Sequence, residues 1–170
     1  MNVVLIGMPG CGKSTVGVIL AKVLGMQFCD TDIVIQQKTS RRLQDIINED
    51  GNDAFLACES DALCSLDIDN AVVATGGSAV YSDDAMKHLK SNGTVVYLKV
   101  SEPEIERRLA DFAARGVAIK DGMTVADLYN ERIPLYEKYA DITVVAEGEG
   151  IPYVVGKIAD KIVGASEGKR

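Results

Sequence analysis

The sequence predicts an α/β fold of three layers, with helices on both faces of a mostly parallel, five-stranded sheet. Three observations carry that prediction. Strand and helix signals alternate from one end of the 170 residues to the other. The candidate strands are short and continuously apolar, as expected when both faces are covered. The first strand also gives way to the first helix through a glycine-rich loop, a junction typical of βα units. With no linker, sequence repeat or low-complexity tract, residues 1–170 read as a single domain, long enough to bury a substantial core.

Taken in order, Val3-Val4-Leu5-Ile6 is a buried strand, and Ser14 to Leu24 is helical. Gln27-Phe28-Cys29 is a short strand ending at Asp30-Thr31-Asp32. Two helices follow, Arg42 to Glu49 and Asp53 to Leu66, the second with apolar positions at helical spacing. Ala71-Val72-Val73-Ala74 is a strand stopping at Thr75-Gly76-Gly77, and Asp83 to Lys90 is a helix broken by Gly93. Thr94 to Leu98 gives the fourth strand, and Glu102 to Leu109 a helix. Residues 110–122 contain Gly116 and Gly122 without clear periodicity, and their length and position suit a lid. Thr124-x-x-Asp127 forms a capping box opening a helix towards Tyr139. Ile142 to Val145 is the fifth strand, Tyr153 to Val163 the closing helix, and Ser166 to Arg170 a frayed tail.

The loop Gly7-Met8-Pro9-Gly10-Cys11-Gly12-Lys13-Ser14 fits the phosphate-binding pattern G-x-x-x-x-G-K-[ST]. Its glycines let backbone N–H groups turn inward around an anion, and the helix N-terminus adds its positive dipole end. The cradle expected for a nucleoside triphosphate is Gly10, Cys11, Gly12, Lys13, Ser14 and Thr15. Lys13 would reach the β- and γ-phosphates, and the Ser14 hydroxyl would hold Mg²⁺.

Composition narrows the class. Hydrophobic residues make up 47% and charged residues 25%, as in a soluble globular protein, and no apolar run approaches the length of a membrane span. The net charge of −7 disfavours nucleic acid as a partner, since neutralising phosphates needs basic clusters. Cys11, Cys29, Cys58 and Cys64 lack C-x-x-C spacing, and with His88 the sole histidine a zinc site is not expected. Reduced thiols and no room for a signal peptide point to a cytoplasmic protein, taken as a monomer. A GTPase would carry Asn-Lys-x-Asp late in the chain, and a motor ATPase a strand ending in Asp or Asp-Glu. Neither occurs here, which leaves kinases of small metabolites.

Several motifs in one order resemble the shikimate kinase family, over nearly the whole chain. After the phosphate loop come Asp30-Thr31-Asp32, similar to that family's D-x-D, and Phe55-Leu56-Ala57-Cys58-Glu59, at its F-R-x-x-E. Thr75-Gly76-Gly77-Ser78 lies at its G-G-G turn, Arg108 and Arg115 at lid positions, and Arg132-Ile133-Pro134-Leu135-Tyr136 at its R-x-P-L-Y helix. The resemblance implies a three-layer P-loop kinase fold with a lid segment at about 110–122. It also implies ATP and Mg²⁺ as cofactors, and transfer of a phosphoryl group to a hydroxylated carboxylate, shikimate becoming shikimate 3-phosphate. By the same resemblance Asp32 orients the acceptor hydroxyl and Asp30 holds Mg²⁺ through water, opposite Ser14. Arg115 closes over the phosphates, Arg108 lies along the adenine, and Arg132 pairs with the acceptor's acidic group beside Gly76, Gly77 and Ser78.

Two departures fall in the acceptor pocket. Leu56 stands where the family has an arginine, and Ser78 stands at the third glycine of the turn, adding a Cβ near the substrate. Arg41 or Arg42 could compensate for Leu56. The lid reads Arg115-Gly116-Val117-Ala118 instead of R-P-L-L. A kinase with a different hydroxylated acceptor, or a non-catalytic nucleotide-binding protein, therefore stays open at this stage.

Overall fold

The computed structural model describes residues 1–112 and 122–167. The elements run β1 (Asn2–Ile6), α1 (Lys13–Leu24), β2 (Gln27–Asp30), α2 (Thr31–Thr39), α3 (Leu43–Asp50), α4 (Asn52–Cys64) and β3 (Ala71–Ala74). A 3₁₀ turn (Ala79–Tyr81) follows, then α5 (Asp83–Ser91), β4 (Gly93–Lys99), α6 (Glu102–Phe112), α7 (Val125–Tyr139), β5 (Ile142–Val145) and α8 (Ile151–Glu167). Each strand pairing is parallel, and the sheet order is β2-β3-β1-β4-β5.

Central β1 is buried along its whole length, with Val4 in register with Val73 on one side and Val95 on the other. The chain fills the β3 side first and the β4 side later, so the topology switches direction at the C-terminal end of β1. Open parallel sheets form their ligand crevice at that position, because the loops leaving neighbouring strands diverge there. Glycine brings α1 close to the sheet: a Cβ at Gly17 would come within 2.7 Å of the Phe28 ring. At the β2 side, Ile35, Ile46, Phe55 and Ala62 form a second small core binding α2, α3 and α4 together. On the opposite side of the crevice, Tyr136 of α7 stacks on Tyr97 of β4 with centroids 5.2 Å apart.

The capping box is present: Thr124 Oγ1 accepts from Asp127 N at 3.1 Å, and Asp127 Oδ2 accepts from Thr124 N at 2.9 Å. Three expectations need correction. Thr31–Thr39 is a helix, whereas the sequence marked only a strand end there. Its β-branched Ile33-Val34-Ile35 run and single deeply buried aliphatic, Ile35, give little helical periodicity, and the Asp30 side chain caps it through Asp32 N. The closing helix starts at Ile151 and continues through Ser166 to Glu167, longer than its apolar face indicates. Residues 110–112, assigned to the lid, continue α6; residues 113–121, with Arg115, lie outside the described residues. Among the described residues no helix is long and apolar enough to cross a membrane.

Candidate active site

The phosphate loop wraps the end of β1 with Gly7, Gly10 and Gly12 at φ +147°, +77° and +100°, values that an L side chain rarely adopts. At Gly7 the restriction is also steric, since a Cβ would lie 2.8 Å from Leu98 O. Lys13 is buried, its Nζ donating to Gly7 O at 2.8 Å and Met8 O at 2.9 Å. The ammonium is thus fixed across the loop's own carbonyls, at the rim of the N–H cradle. Ser14 Oγ donates to Asp30 Oδ2 at 2.9 Å, so the two expected metal ligands meet at the mouth of the loop. A hydroxyl and a carboxylate fit Mg²⁺, which keeps several waters and needs few protein oxygens. Among the described residues there is no larger cluster of His, Cys, Asp or Glu suited to a metal.

Arg108 sits on the other side of the loop, linking it to the end of β5. It donates to Glu104 Oε1 at 2.7 Å, Gly10 O at 3.2 Å and Ala146 O at 3.3 Å. With Cys11, Thr15 and Val154 it lines a cleft beside the phosphate cradle, the side on which a nucleotide base would lie. The Arg107 and Arg108 guanidiniums hold the Glu104 carboxyl down at about 2.

Asp32 opens α2 next to Asp30, and burial, with the neighbouring Asp30 charge, raises its carboxyl above the ordinary range against the pull of Lys13. It faces the turn after β3, where a Cβ at Gly76 would lie 3.4 Å from Asp32 Oδ1 and 2.2 Å from Glu59 Oε1. Gly77 is equally constrained, a Cβ there meeting Arg132 Nη1 and Pro9 Cδ at 2.9 Å. Thr31 Oγ1 accepts from Gly76 N at 3.2 Å and Tyr136 donates to Gly77 O at 2.7 Å, so the turn is held from both sides. Asp32, Gly76, Gly77 and Arg132 therefore converge beside Pro9 of the phosphate loop.

The backbone at Ser78 tolerates a side chain, which lines the acceptor cleft. Its φ of −89° is ordinary for an L-residue, so the third glycine of the turn is not required, and its hydroxyl donates to Glu59 Oε2 at 2.5 Å. Leu56 lines the acceptor cleft with Phe55, Ser78, Tyr81 and Arg132. Arg41 does not replace the missing arginine: it pairs with Glu49 at 2.6 Å and with Asp50.

Two residues given no role in the sequence reading stand in this site. Tyr81 accepts from Arg132 Nε at 3.1 Å, and nothing in its neighbourhood in the sequence marked it. Glu59 is 1% exposed, and its Oε1 has no hydrogen-bond partner. An acid on the apolar face of α4, between Phe55 and Ala62-Leu63, was its legible signal. Burial, with the Asp32 charge adding to it and Ser78, Arg132 and Lys13 opposing, pushes the Glu59 carboxyl up to about 7.

A carboxyl raised from 4.5 to about 7 binds more protons folded than unfolded between those values, so its contribution to stability falls as pH rises through that window. The expected result is a wild-type melting temperature that drops relative to Glu59→Gln between about pH 5 and about pH 8, by on the order of 2–3 kcal/mol of stability. Parallel melting curves for the two proteins would mean that Glu59 is paired and ionised throughout.

A phosphate loop at the sheet's switch point, the Ser14–Asp30 pair at its mouth and Asp32 facing the turn after β3 fit a P-loop kinase of small molecules. The family model for shikimate kinase matches residues 9–163. A shikimate kinase of Clostridium botulinum is 39% identical over 165 residues, covering 95% of this chain and 97% of that protein. Two solved structures are similar: Acinetobacter baumannii shikimate kinase in complex with shikimate (TM-score 0.86, 30% identity, 96% of this chain and 93% of that one) and Aquifex aeolicus shikimate kinase (TM-score 0.84, 30% identity, 98% of both chains). The chain belongs to the shikimate kinase family and is an ATP-dependent small-molecule kinase.

Proposed function

We propose that this enzyme transfers the γ-phosphoryl group of ATP to the 3-hydroxyl of shikimate. The observation that supports the reading is that the Gly76-Gly77 turn has Asp32 against one glycine and Arg132 and Pro9 against the next, with Lys13 close enough to act on Asp32. Phosphoryl transfer passes through a loose transition state, so positioning and charge stabilisation do most of the work. The backbone of Gly10 to Thr15 binds the phosphates, and Lys13 adds positive charge where the terminal phosphate lies. Ser14 and Asp30 would hold Mg²⁺, which neutralises charge developing on the transferred group. Asp32 accepts a hydrogen bond from the acceptor hydroxyl and aligns it, the alcohol's proton leaving to this carboxylate or to water late in the transfer. Arg132 binds the acceptor carboxylate, and Arg115, in the segment between α6 and α7, supplies a closing charge over the phosphates.

Homology to shikimate kinases along the full chain favours shikimate over another acceptor, and the intact set Lys13, Asp30 and Asp32 argues against a non-catalytic protein. A coupled ADP-release assay across hydroxy acids tests the reading. It requires shikimate-dependent ADP release. Turnover with a different hydroxy acid alone would replace the acceptor, and nucleotide binding without any phosphorylation would remove the activity.

Position 56 gives a second test. A guanidinium there would enter the cleft that holds Arg132, within one helical turn of Glu59, whose Oε1 has no partner. Leu56→Arg should lower the shikimate KM by about tenfold or more, the worth of one charge-assisted contact. An unchanged KM would mean that no acceptor carboxylate lies at that end of the cleft.

A further inference from the structure

Arg132 is the single cation among the described residues lining the acceptor cleft. A lone arginine that must grip a carboxylate loses rotamer freedom in doing so, unless something already holds it. Here Tyr81 does so in two ways. Arg132 Nε donates to the Tyr81 hydroxyl at 3.1 Å, and the guanidinium carbon lies 5.1 Å from the ring centroid, within cation–π range. The Tyr81 hydroxyl in turn donates to Glu131 Oε1. A phenol that donates to a carboxylate is a better acceptor for the guanidinium, because bonds in such a chain polarise one another.

The consequence is geometric. With Nε on Tyr81, the Nη groups are the remaining donors; Nη1 lies against Gly77, and the Tyr136 hydroxyl is a further partner of the guanidinium. The Nη groups form a planar fork that matches a carboxylate's two oxygens. Tyr81 lies three residues beyond Ser78 of the Gly76-Gly77-Ser78 turn, its N–H bonded to Ser78 O at 3.0 Å. One short segment therefore carries both the backbone facing the acceptor and the clamp on the arginine that would bind it.

We propose that Tyr81 is a positioning residue for acceptor recognition, holding the Arg132 guanidinium so that its Nη edge faces the acceptor's carboxylate. The inference rests on the shikimate reading given above. It makes Tyr81 act through Arg132 alone, with no contact to the nucleotide or the transferred phosphoryl group.

Calorimetric binding of shikimate to wild type, Tyr81→Phe, Arg132→Lys and the double variant tests it, alongside steady-state kinetics of Tyr81→Phe. Phenylalanine keeps the ring and its packing while removing the hydroxyl. Tyr81→Phe should weaken shikimate binding roughly three- to tenfold, the worth of one hydrogen bond, and raise the shikimate KM to match. Its kcat and ATP KM should stay within about twofold of wild type, and the double variant should bind no more weakly than Arg132→Lys. Unchanged binding by Tyr81→Phe, or losses that multiply in the double variant, would overturn the assignment and leave the shikimate reading standing. Failure of wild type itself to bind shikimate would remove both.

Discussion

Lys13→Met is expected to lower kcat by about a thousandfold or more, with the fold intact. Methionine matches the length of the lysine stem but carries no charge, and phosphoryl transfer depends on cations placed against the terminal phosphate. The native ammonium lies between Gly7 O and Met8 O, so its position is set by the loop before any nucleotide binds. The variant leaves those two carbonyls without their donor, and a modest fall in melting temperature should accompany the loss of rate. Steady-state kinetics at saturating ATP and shikimate, with a melting curve as control, measures both. More than about a tenth of wild-type turnover in a folded variant would show that the charge at position 13 does not serve the transfer.

Asp32→Asn should reduce kcat by roughly a hundredfold to ten-thousandfold while leaving the ATP KM within a few-fold of wild type. The amide keeps the size of the side chain and one acceptor oxygen but loses the negative charge and basicity that the proposed alignment of the hydroxyl uses. Asp30, which bonds Ser14 and caps α2 through Asp32 N, keeps both contacts in this variant, so metal and nucleotide binding should persist. A kcat equal to wild type would remove Asp32 from the alignment of the acceptor. A rise confined to the ATP KM would place it on the nucleotide instead.

The phosphate loop could be read from the sequence because its geometry demands particular residues. Gly7, Gly10 and Gly12 adopt φ values that few other residues tolerate, and Lys13 and Ser14 follow at fixed spacing. Thr124 and Asp127 announced α7 for the same reason, a local hydrogen-bond pattern written in two residues. The buried strands were equally plain, since both faces of the sheet are covered and their apolar runs are unbroken. Helix α2 was not, because its helical state comes from the Asp30 cap and from packing of Ile35 against α3 and α4, neither of which imposes a period on the sequence.

Within the site, legibility followed the same division. Asp30, Asp32, Gly76, Gly77 and Arg132 were found because they recur in a family order, and the structure brings them to one crevice. Ser78 was marked in sequence as a Cβ beside the substrate; its backbone is ordinary for an L-residue and its hydroxyl donates to Glu59, a contact no local pattern announced. Tyr81 was invisible because its contact is with a residue 51 positions away, reached only when α7 folds back over the 3₁₀ turn. Leu56 remains the departure with the clearest physical consequence: among the described residues lining the acceptor cleft, Arg132 is the one cation.

The most direct measurement is two-dimensional ³¹P–¹H correlation spectroscopy of the product formed from Mg²⁺-ATP and shikimate. A phosphoester resonance coupled to the proton on carbon 3 is the result expected if Asp32 aims the 3-hydroxyl at the phosphate beside Lys13, as proposed. ADP accompanied only by inorganic phosphate, or phosphate esterified at another hydroxyl, would contradict the account.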